Sequence, residues 1–353
     1  MTKLRVGDWI EVRSKEDILR TLDKDGRLEG LPFMPQMFKH CGQRFQIYKS
    51  AHKTCDTVSC NGGRNVPSCY HLNLRCDGQA YGGCQAGCLM FWKSAWLKPV
   101  EGEGLSSGEA QSKPSAASAV CMEEDVWAAT RVDGTAWDKE TRYKCQATEL
   151  LHFTTLLPWW QLSQYVEDYR SKNVSLGQLL RGFAYVCYYH GTQAWRDRVG
   201  RPARWLYDWI KSWYGGIPFP RRKGKLPIGQ CPMSDLNLQP GELVRVKSYE
   251  EILATLDTKT NHRGLKWDAE LVPYCGGTYR VKNRVERFVD EKTGRLTSLR
   301  TPAVILEKVW CQARYSDCRM FCPRQTYEWF REIWLERAVK EDLQGGQRRI
   351  APE

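Results

Sequence analysis

Much of what usually identifies an enzyme from its sequence is missing here. No phosphate-cradling G-x4-G-K-[ST] loop occurs and no G-x-G-x-x-G follows a strand-like run, so nucleotide chemistry lacks its usual backbone cradle. There is no H-E-x-x-H helix and no C-x2-C knuckle. Histidine numbers only six, which limits Ser/His and His-rich metal mechanisms. No stretch approaches the roughly 18 apolar residues of a membrane span. The opening Met1-Thr2-Lys3-Leu4-Arg5-Val6-Gly7-Asp8 lacks the apolar run of a secretory signal. The expectation is a soluble, cytoplasmic protein without a membrane span.

What is present is unusual in three ways. The 353 residues carry 53 Lys+Arg against 41 Asp+Glu, a net charge of +12, which favours an anionic ligand or substrate. Trp and Tyr number 15 and 16. Cysteine numbers 15, an odd count without an export signal, so the thiols are read as buried, metal-bound or reactive rather than paired. Hydrophobic and charged fractions are ordinary for a folded chain of two or three domains.

The strongest signal is an internal duplication. Residues 7–23, GDWIEVRSKEDILRTLD, match residues 241–257, GELVRVKSYEEILATLD, without a gap. The offset of 234 continues through Gly30/Gly264 to Cys41-Gly42/Cys275-Gly276, Phe45/Tyr279 and Ile47/Val281. Later, the aromatic run from Phe91 to Leu97 matches the run from Trp329 to Leu335. Each copy opens with period-2 alternation, the pattern of a half-buried strand. Ser14 or Ser248 then caps a short helix, with Asp17 or Glu251 three residues on. More short strands follow Cys-Gly, clearest at Ala303 to Trp310.

The opening G-[DE]-x-[IV]-x-V of each copy, with an insertion and then a Gly before the next strand, resembles the SH3-like barrels of KOW type and of the nitrile hydratase β subunit. The resemblance covers the two terminal segments and implies a small barrel, with no catalytic residue to carry over. The expected fold class is α+β: two SH3-like β-barrel repeats flanking a mainly helical middle domain. The expected boundaries are 1–99 for the first repeat with its Cys-rich insertion and 100–121 for a flexible linker. A helical domain with a basic connector then spans 122–237, and the second repeat spans 238–345. In the middle, Ser175 caps an apolar-periodic run to Cys187, which is read as a core residue, and a second helix starts at Pro202. The acidic run Glu123-Glu124-Asp125 is read as a solvated helix start.

The cysteines supply the candidate chemistry. One alignment of the copies matches Cys76, Cys84 and Cys88 to Cys311, Cys318 and Cys322. The other follows the terminal aromatic run without gaps and matches Cys84 to Cys322. The first preserves more identities and is preferred. The candidate metal ligands are then Cys41, Cys76, Cys84 and Cys88 in the first copy and Cys275, Cys311, Cys318 and Cys322 in the second. His52, Cys55 and Cys145 are additional candidates. Four thiolates from separate loops can close a tetrahedral zinc site or hold an iron–sulfur cluster, because soft cations prefer soft anionic sulfur. Zn2+ is preferred, with an iron–sulfur cluster the alternative. Against this stands the plainer reading of buried thiols, with Cys55, Cys60 and Cys69 on a surface insertion.

The segment 191–225 is basic and aromatic. Arg196, Arg198, Arg201, Arg204, Arg221, Arg222 and Lys223 are candidates for binding an anion or nucleic acid, with Trp195, Trp205, Trp209 and Trp213 interleaved. Trp at i, i+4 and i+8 is the ordinary pattern of a packed helix, so the stripe is read as core with a solvated charged face. The leading functional expectation is a Cys-ligated metalloprotein. It would catalyse or assist a biosynthetic or redox reaction at the first repeat, alone or beside a partner enzyme. The alternatives are an RNA- or DNA-binding protein and a scaffold with zinc-stabilised barrels.

Overall fold

The structure, a computed structural model, describes residues 3–59, 62–100, 121–133, 140–194, 196–213, 218–315 and 319–338, without the side chains of 192–199. The expected linker falls almost wholly outside them, as do Cys60, Cys318 and Trp195. The chain forms two compact units. The first comprises Met1–Leu179, Arg287–Thr297 and Cys318–Arg324, and the second comprises Leu180–Glu286, Ser298–Asp317 and Gln325–Glu353.

In the first unit the alternation of Trp9–Val12 does what its pattern predicts. Ile10 and Val12 are buried while Trp9 is exposed. This strand lies between Leu97–Pro99 and Arg44–Gln46, antiparallel to both, with Val12 opposite Leu97 and Trp9 opposite Gln46. The unit also holds two two-stranded sheets, Arg27–Leu28 with Leu31–Pro32 and Arg131–Val132 with Arg142–Tyr143, and two further three-stranded ones. In one, Cys69–His71 lies between Lys49–Ser50 and Trp92–Lys93. In the other, Gly63–Asn65 lies between Lys53–Cys55 and Thr155–Leu157. The core is aromatic: Phe33, Trp92 and Trp96 meet edge to face, and both Trp side chains are fully buried. Ser14 caps the helix Lys15–Leu19 by accepting from the Asp17 amide at 3.1 Å. The acidic helix Glu123–Ala128 packs here too, with Lys15 paired to Glu123.

The second unit carries one open antiparallel sheet of five strands. Their order is Tyr327–Phe330, Leu296–Trp310, Thr278–Val289, Leu243–Val246 and Leu335–Arg337. Ser248 and Glu251 form a complete capping box at the helix Tyr249–Leu253. The long helices Leu176–Ala194 and Arg196–Trp213 lie between the terminal segments in sequence, as the periodicity predicts. Residues 121–179, by contrast, hold short helices and two- or three-residue strands that pack into the first unit.

Helices and strands are both present, so the mixed α+β class holds. The described strands do not close into the expected barrels. In the first unit most strands are only two to four residues long and are shared among separate small sheets. In the second, the edge strands Tyr327–Phe330 and Leu335–Arg337 do not pair with each other.

The matched segments make matching hydrogen bonds. Val244 faces Tyr279 as Ile10 faces Phe45. Gly42 and Gly276 donate to Val12 and Val246 at 2.9 and 2.8 Å. Trp96 Nε1 donates to Thr21 Oγ1 at 3.1 Å, and Trp334 Nε1 donates to Thr255 Oγ1 at 3.0 Å. The indole contacts follow the ungapped pairing of the terminal aromatic runs, in which Cys84 corresponds to Cys322, rather than the gapped alignment preferred from residue identities.

A four-thiol cavity as the candidate functional site

Four cysteines of the first unit line one cavity of about 30 Å³: Cys76, Cys84, Cys88 and Cys145. Their convergence has a local cause. Residues 74–76 and 88–90 form a short antiparallel ladder, with the Cys76 amide donating to the Cys88 carbonyl at 2.8 Å and Met90 to Leu74 at 3.0 Å. Between them the loop DGQAYGGCQAG folds tightly because glycines accept left-handed backbone. Gly78 sits at φ +72°, and a Cβ there would lie 1.9 Å from the Cys84 carbonyl oxygen, so no other residue fits. Cys145 arrives at the start of a turn, its amide donating to Thr148 Oγ1 at 2.9 Å. The next residue, Gln146, is tied to both polar groups of Phe91 and to the Pro32 carbonyl, which fixes that turn against the ladder.

The other walls are mainly apolar, from Met34, Tyr81, Met90, Phe91 and Val289, with Gln146 and Arg324 the polar exceptions. Two sulfurs accept hydrogen bonds: Gln36 Nε2 donates to Cys76 Sγ at 3.0 Å, and the Val289 amide donates to Cys84 Sγ at 3.3 Å. Burial pushes the Cys88 thiol up to about 12 and the Cys145 thiol up to about 11. Cys76 is raised well above the ordinary thiol range, by burial first and then by Cys88, Cys145 and Cys84. Thiols that raise one another in this way would compete for charge if they were all to ionise. Only a cation among them would reverse that balance.

One cation already borders the cavity. Arg324 is 1% exposed, yet its guanidinium donates to Thr57 Oγ1 at 2.7 Å and Glu291 Oε1 at 2.9 Å. Its Nε has no hydrogen-bond partner among the described residues. Burial opposes its charge, but Glu291, Cys55, Cys88 and Cys322 outweigh burial and hold its pKa above the ordinary guanidinium value. No group of three or more His, Cys, Asp or Glu side chains among the described residues is placed to hold a metal ion. The four cysteines line a space that, at roughly 10–15 Å³ per water, has room for about two waters.

A second cluster lies in the same unit. Asp168 is fully buried, with Lys53 Nζ 2.5 Å from Oδ2 and His52 Nε2 3.3 Å from Oδ1. Lys53 also donates to the Met320 carbonyl at 2.9 Å. Burial lowers its pKa and Asp168 opposes the fall. Beside it, the Cys55 amide donates to Cys322 Sγ at 3.1 Å. The neighbouring Cys322 side chain draws the Cys55 thiol below the ordinary thiol range; burial opposes this, and Arg324 and Arg319 assist it.

No family model, curated protein or solved structure matches this chain.

The remaining candidates are placed as follows. Cys41 is half-buried at the end of the 3-10 helix Pro35–His40 and is not among the residues lining the cavity, which takes Cys145 instead. Cys275 ends the 3-10 helix Ala269–Tyr274 in the same way; both donate their amide N–H to the carbonyl three residues back at 3.1 Å. Burial raises Cys41 to about 11 and Cys275 to about 12. Cys311 is buried in the second unit, its amide donating to Thr326, whereas Cys322 packs in the first. Cys318 lies outside the described residues. The second-copy set is therefore not gathered among them. Cys55 and Cys69 are buried rather than on a surface insertion, and Cys187 is exposed rather than core.

The Trp stripe also differs from its expected packing. Trp205 and Trp213 are 67% and 69% exposed, Trp209 is 44% exposed, and the rings of Trp205 and Trp209 stack 6.2 Å apart. Arg201 and Lys223 are exposed. Arg204 bonds within its helix to Gly200, Arg221 to the Tyr315 carbonyl, and Arg222 to Glu250. The helix Arg196–Trp213 carries Arg196 and Arg198 at positions whose side chains lie outside the description. Sequence reasoning passed over Asp168 and Arg324. Nothing in their local spacing distinguishes them, because their partners lie over a hundred residues away or in another chain segment.

Proposed function

We propose that the first unit is a Cys-ligated redox metalloprotein, with Cys76, Cys84, Cys88 and Cys145 as the ligands of an iron–sulfur cluster. The observation that carries this reading is the convergence of four half-buried thiols on one mainly apolar cavity. A cluster takes four thiolates and needs space between them. A zinc ion would instead need all four sulfurs within about 2.3 Å of one point, and the two cofactors are separated by metal content. When bound, such a cluster supplies one-electron redox chemistry. The chain's own residues would tune it: the Gln36 and Val289 N–H groups stabilise charge on the Cys76 and Cys84 sulfurs, and Arg324 offsets the negative charge of four thiolates. Apolar walls limit solvent access. The equal-offset hydrogen bonds further support descent of the two terminal segments from one duplicated SH3-like module, of which the first copy carries the chemistry.

The test is elemental analysis and a visible spectrum of chain purified anaerobically. Iron with acid-labile sulfide and a brown chromophore are expected, both lost in a Cys84→Ser, Cys88→Ser double variant and both kept in Cys41→Ser. Zinc alone, or full retention of metal in the double variant, would overturn the reading.

Nucleic-acid binding is the second reading, favoured by the exposed Trp205–Trp209–Trp213 stripe on a basic helix. Stacking platforms beside Arg and Lys suit single strands. Binding that falls steeply with salt and with Trp209→Ala would support it.

A further inference from the structure

Two thiols outside the four-thiol cavity meet in the first unit. Cys55 ends the edge strand Lys53–Cys55, whose inner side pairs with Gly63–Asn65. Its amide donates to the Cys322 sulfur at 3.1 Å, which brings the two side chains together. Both are buried and both are thiols. Cys322 comes from a tight turn in which its amide donates to the Arg319 carbonyl at 3.1 Å. Phe321 in that turn sits at φ +60°, a left-handed conformation that a residue with a side chain rarely adopts. Surrounding contacts hold it there: the Phe321 ring meets Tyr165 edge to face, and the Met320 carbonyl accepts from Lys53. The sulfur of Cys322 is thus delivered to Cys55 by a strained, pinned segment. Arg324, Arg319 and Lys53 supply positive charge around the pair, against Glu291 and Asp168.

The corresponding contact elsewhere in the unit lacks one sulfur. Val289 lies 234 residues after Cys55, and its amide donates to Cys84 Sγ just as Cys55 donates to Cys322. Where the first copy has Cys55 the second has Val289, so only one of the two contacts holds a pair of thiols.

We propose that Cys55 and Cys322 form a redox-active dithiol that closes to a disulfide by exchange with a low-molecular-weight disulfide. The Cys55 thiolate attacks one sulfur of the oxidant R–S–S–R, breaking its S–S bond, forming a mixed disulfide and releasing RS–. Cys322, losing its proton, then attacks the Cys55 sulfur, forms the Cys55–Cys322 bond and expels the second RS–. The two protons lost by the cysteines end on the two released thiols, and two electrons pass from the protein to the oxidant. This step does not depend on a metal in the four-thiol cavity.

The experiment treats the full chain, purified anaerobically, with oxidised glutathione. Remaining thiols are alkylated, and unreduced peptides are mapped by mass spectrometry. The expected result is a linked pair joining the Cys55 and Cys322 peptides, reversed by dithiothreitol, with a persistent glutathione adduct instead of the link in Cys322→Ser. Full alkylation of both cysteines in the unaltered chain would overturn the proposal, as would a link from either to Cys60 or Cys318. The decisive readout is on the unaltered chain, so a poorly folding variant does not blunt it. Absence of iron with the link still formed would count against the cluster alone.

Discussion

Cys41 and Cys275 occupy equivalent places, each ending a 3-10 helix, half-buried, with its thiol pushed up by burial. Cys84 and Cys322 are also equivalent by the ungapped pairing, and each accepts a backbone N–H, yet their surroundings differ. Cys84 shares a cavity with three other thiols, while Cys322 meets Cys55. The comparison separates two uses of one residue type. Cysteines that pack a shared scaffold stay alike in both copies. Those that face other thiols have diverged, and only there does the sulfur have something to react with or bind.

The scaffold side of that comparison predicts equal effects in the two copies, and the largest comes from the indoles. Trp96 and Trp334 are both fully buried and both bonded to a Thr hydroxyl. Trp96→Ala and Trp334→Ala should each cost about 3–5 kcal/mol in denaturant unfolding. A loss at one site only would break the equivalence.

Acid should expose a difference next. Burial drives the His71 pKa down to about 3, with its Nδ1 2.8 Å from the Met90 carbonyl. The unfolded imidazole titrates near 6.5, so the unfolded chain binds the proton first. The stability contribution is full above pH 6.5 and lost as pH falls toward 3, at up to about 1.4 kcal/mol per pH unit. His262 in the second unit is lowered as well, by burial, but without the large fall of His71. Unfolding followed at pH 7 and pH 5 should lose stability, and His71→Gln should flatten that slope more than His262→Gln does.

The helix caps give the smallest effect. Ser14→Ala and Ser248→Ala should each cost about 1 kcal/mol by thermal or urea unfolding. Ser248→Ala should cost the more, because Ser248 and Glu251 complete a capping box whereas Ser14 makes the single bond to Asp17. The reverse order would mean that the box contributes nothing beyond the cap.

The parts legible in sequence are those governed by local rules. Alternation at Trp9–Val12, the Ser caps and the periodicity behind Ser175 all depend on residues a few positions apart, and each appears as read. Barrel closure depends on strand length and on which edges meet: the first unit's short strands are split among small sheets, and the second unit's edge strands do not pair. Cys76, Cys84 and Cys88 were visible as a set because one glycine-rich loop holds them. Cys145 is visible in the sequence only as a possible completion, and Cys41, chosen with its repeat partner Cys275, does not line the cavity. Asp168, Arg324 and the Cys55–Cys322 contact are products of distant chain segments meeting, which no spacing pattern encodes. The Trp stripe shows the converse limit: i, i+4, i+8 spacing places three indoles on one face but does not say what covers it.

The central claim is that Cys76, Cys84, Cys88 and Cys145 hold an iron–sulfur cluster, and native mass spectrometry of the anaerobically purified chain tests it most directly. The account predicts a mass exceeding the polypeptide by iron and sulfide together, falling to the bare polypeptide in Cys145→Ser. A bare polypeptide from the outset, or an added mass of zinc alone, would contradict it.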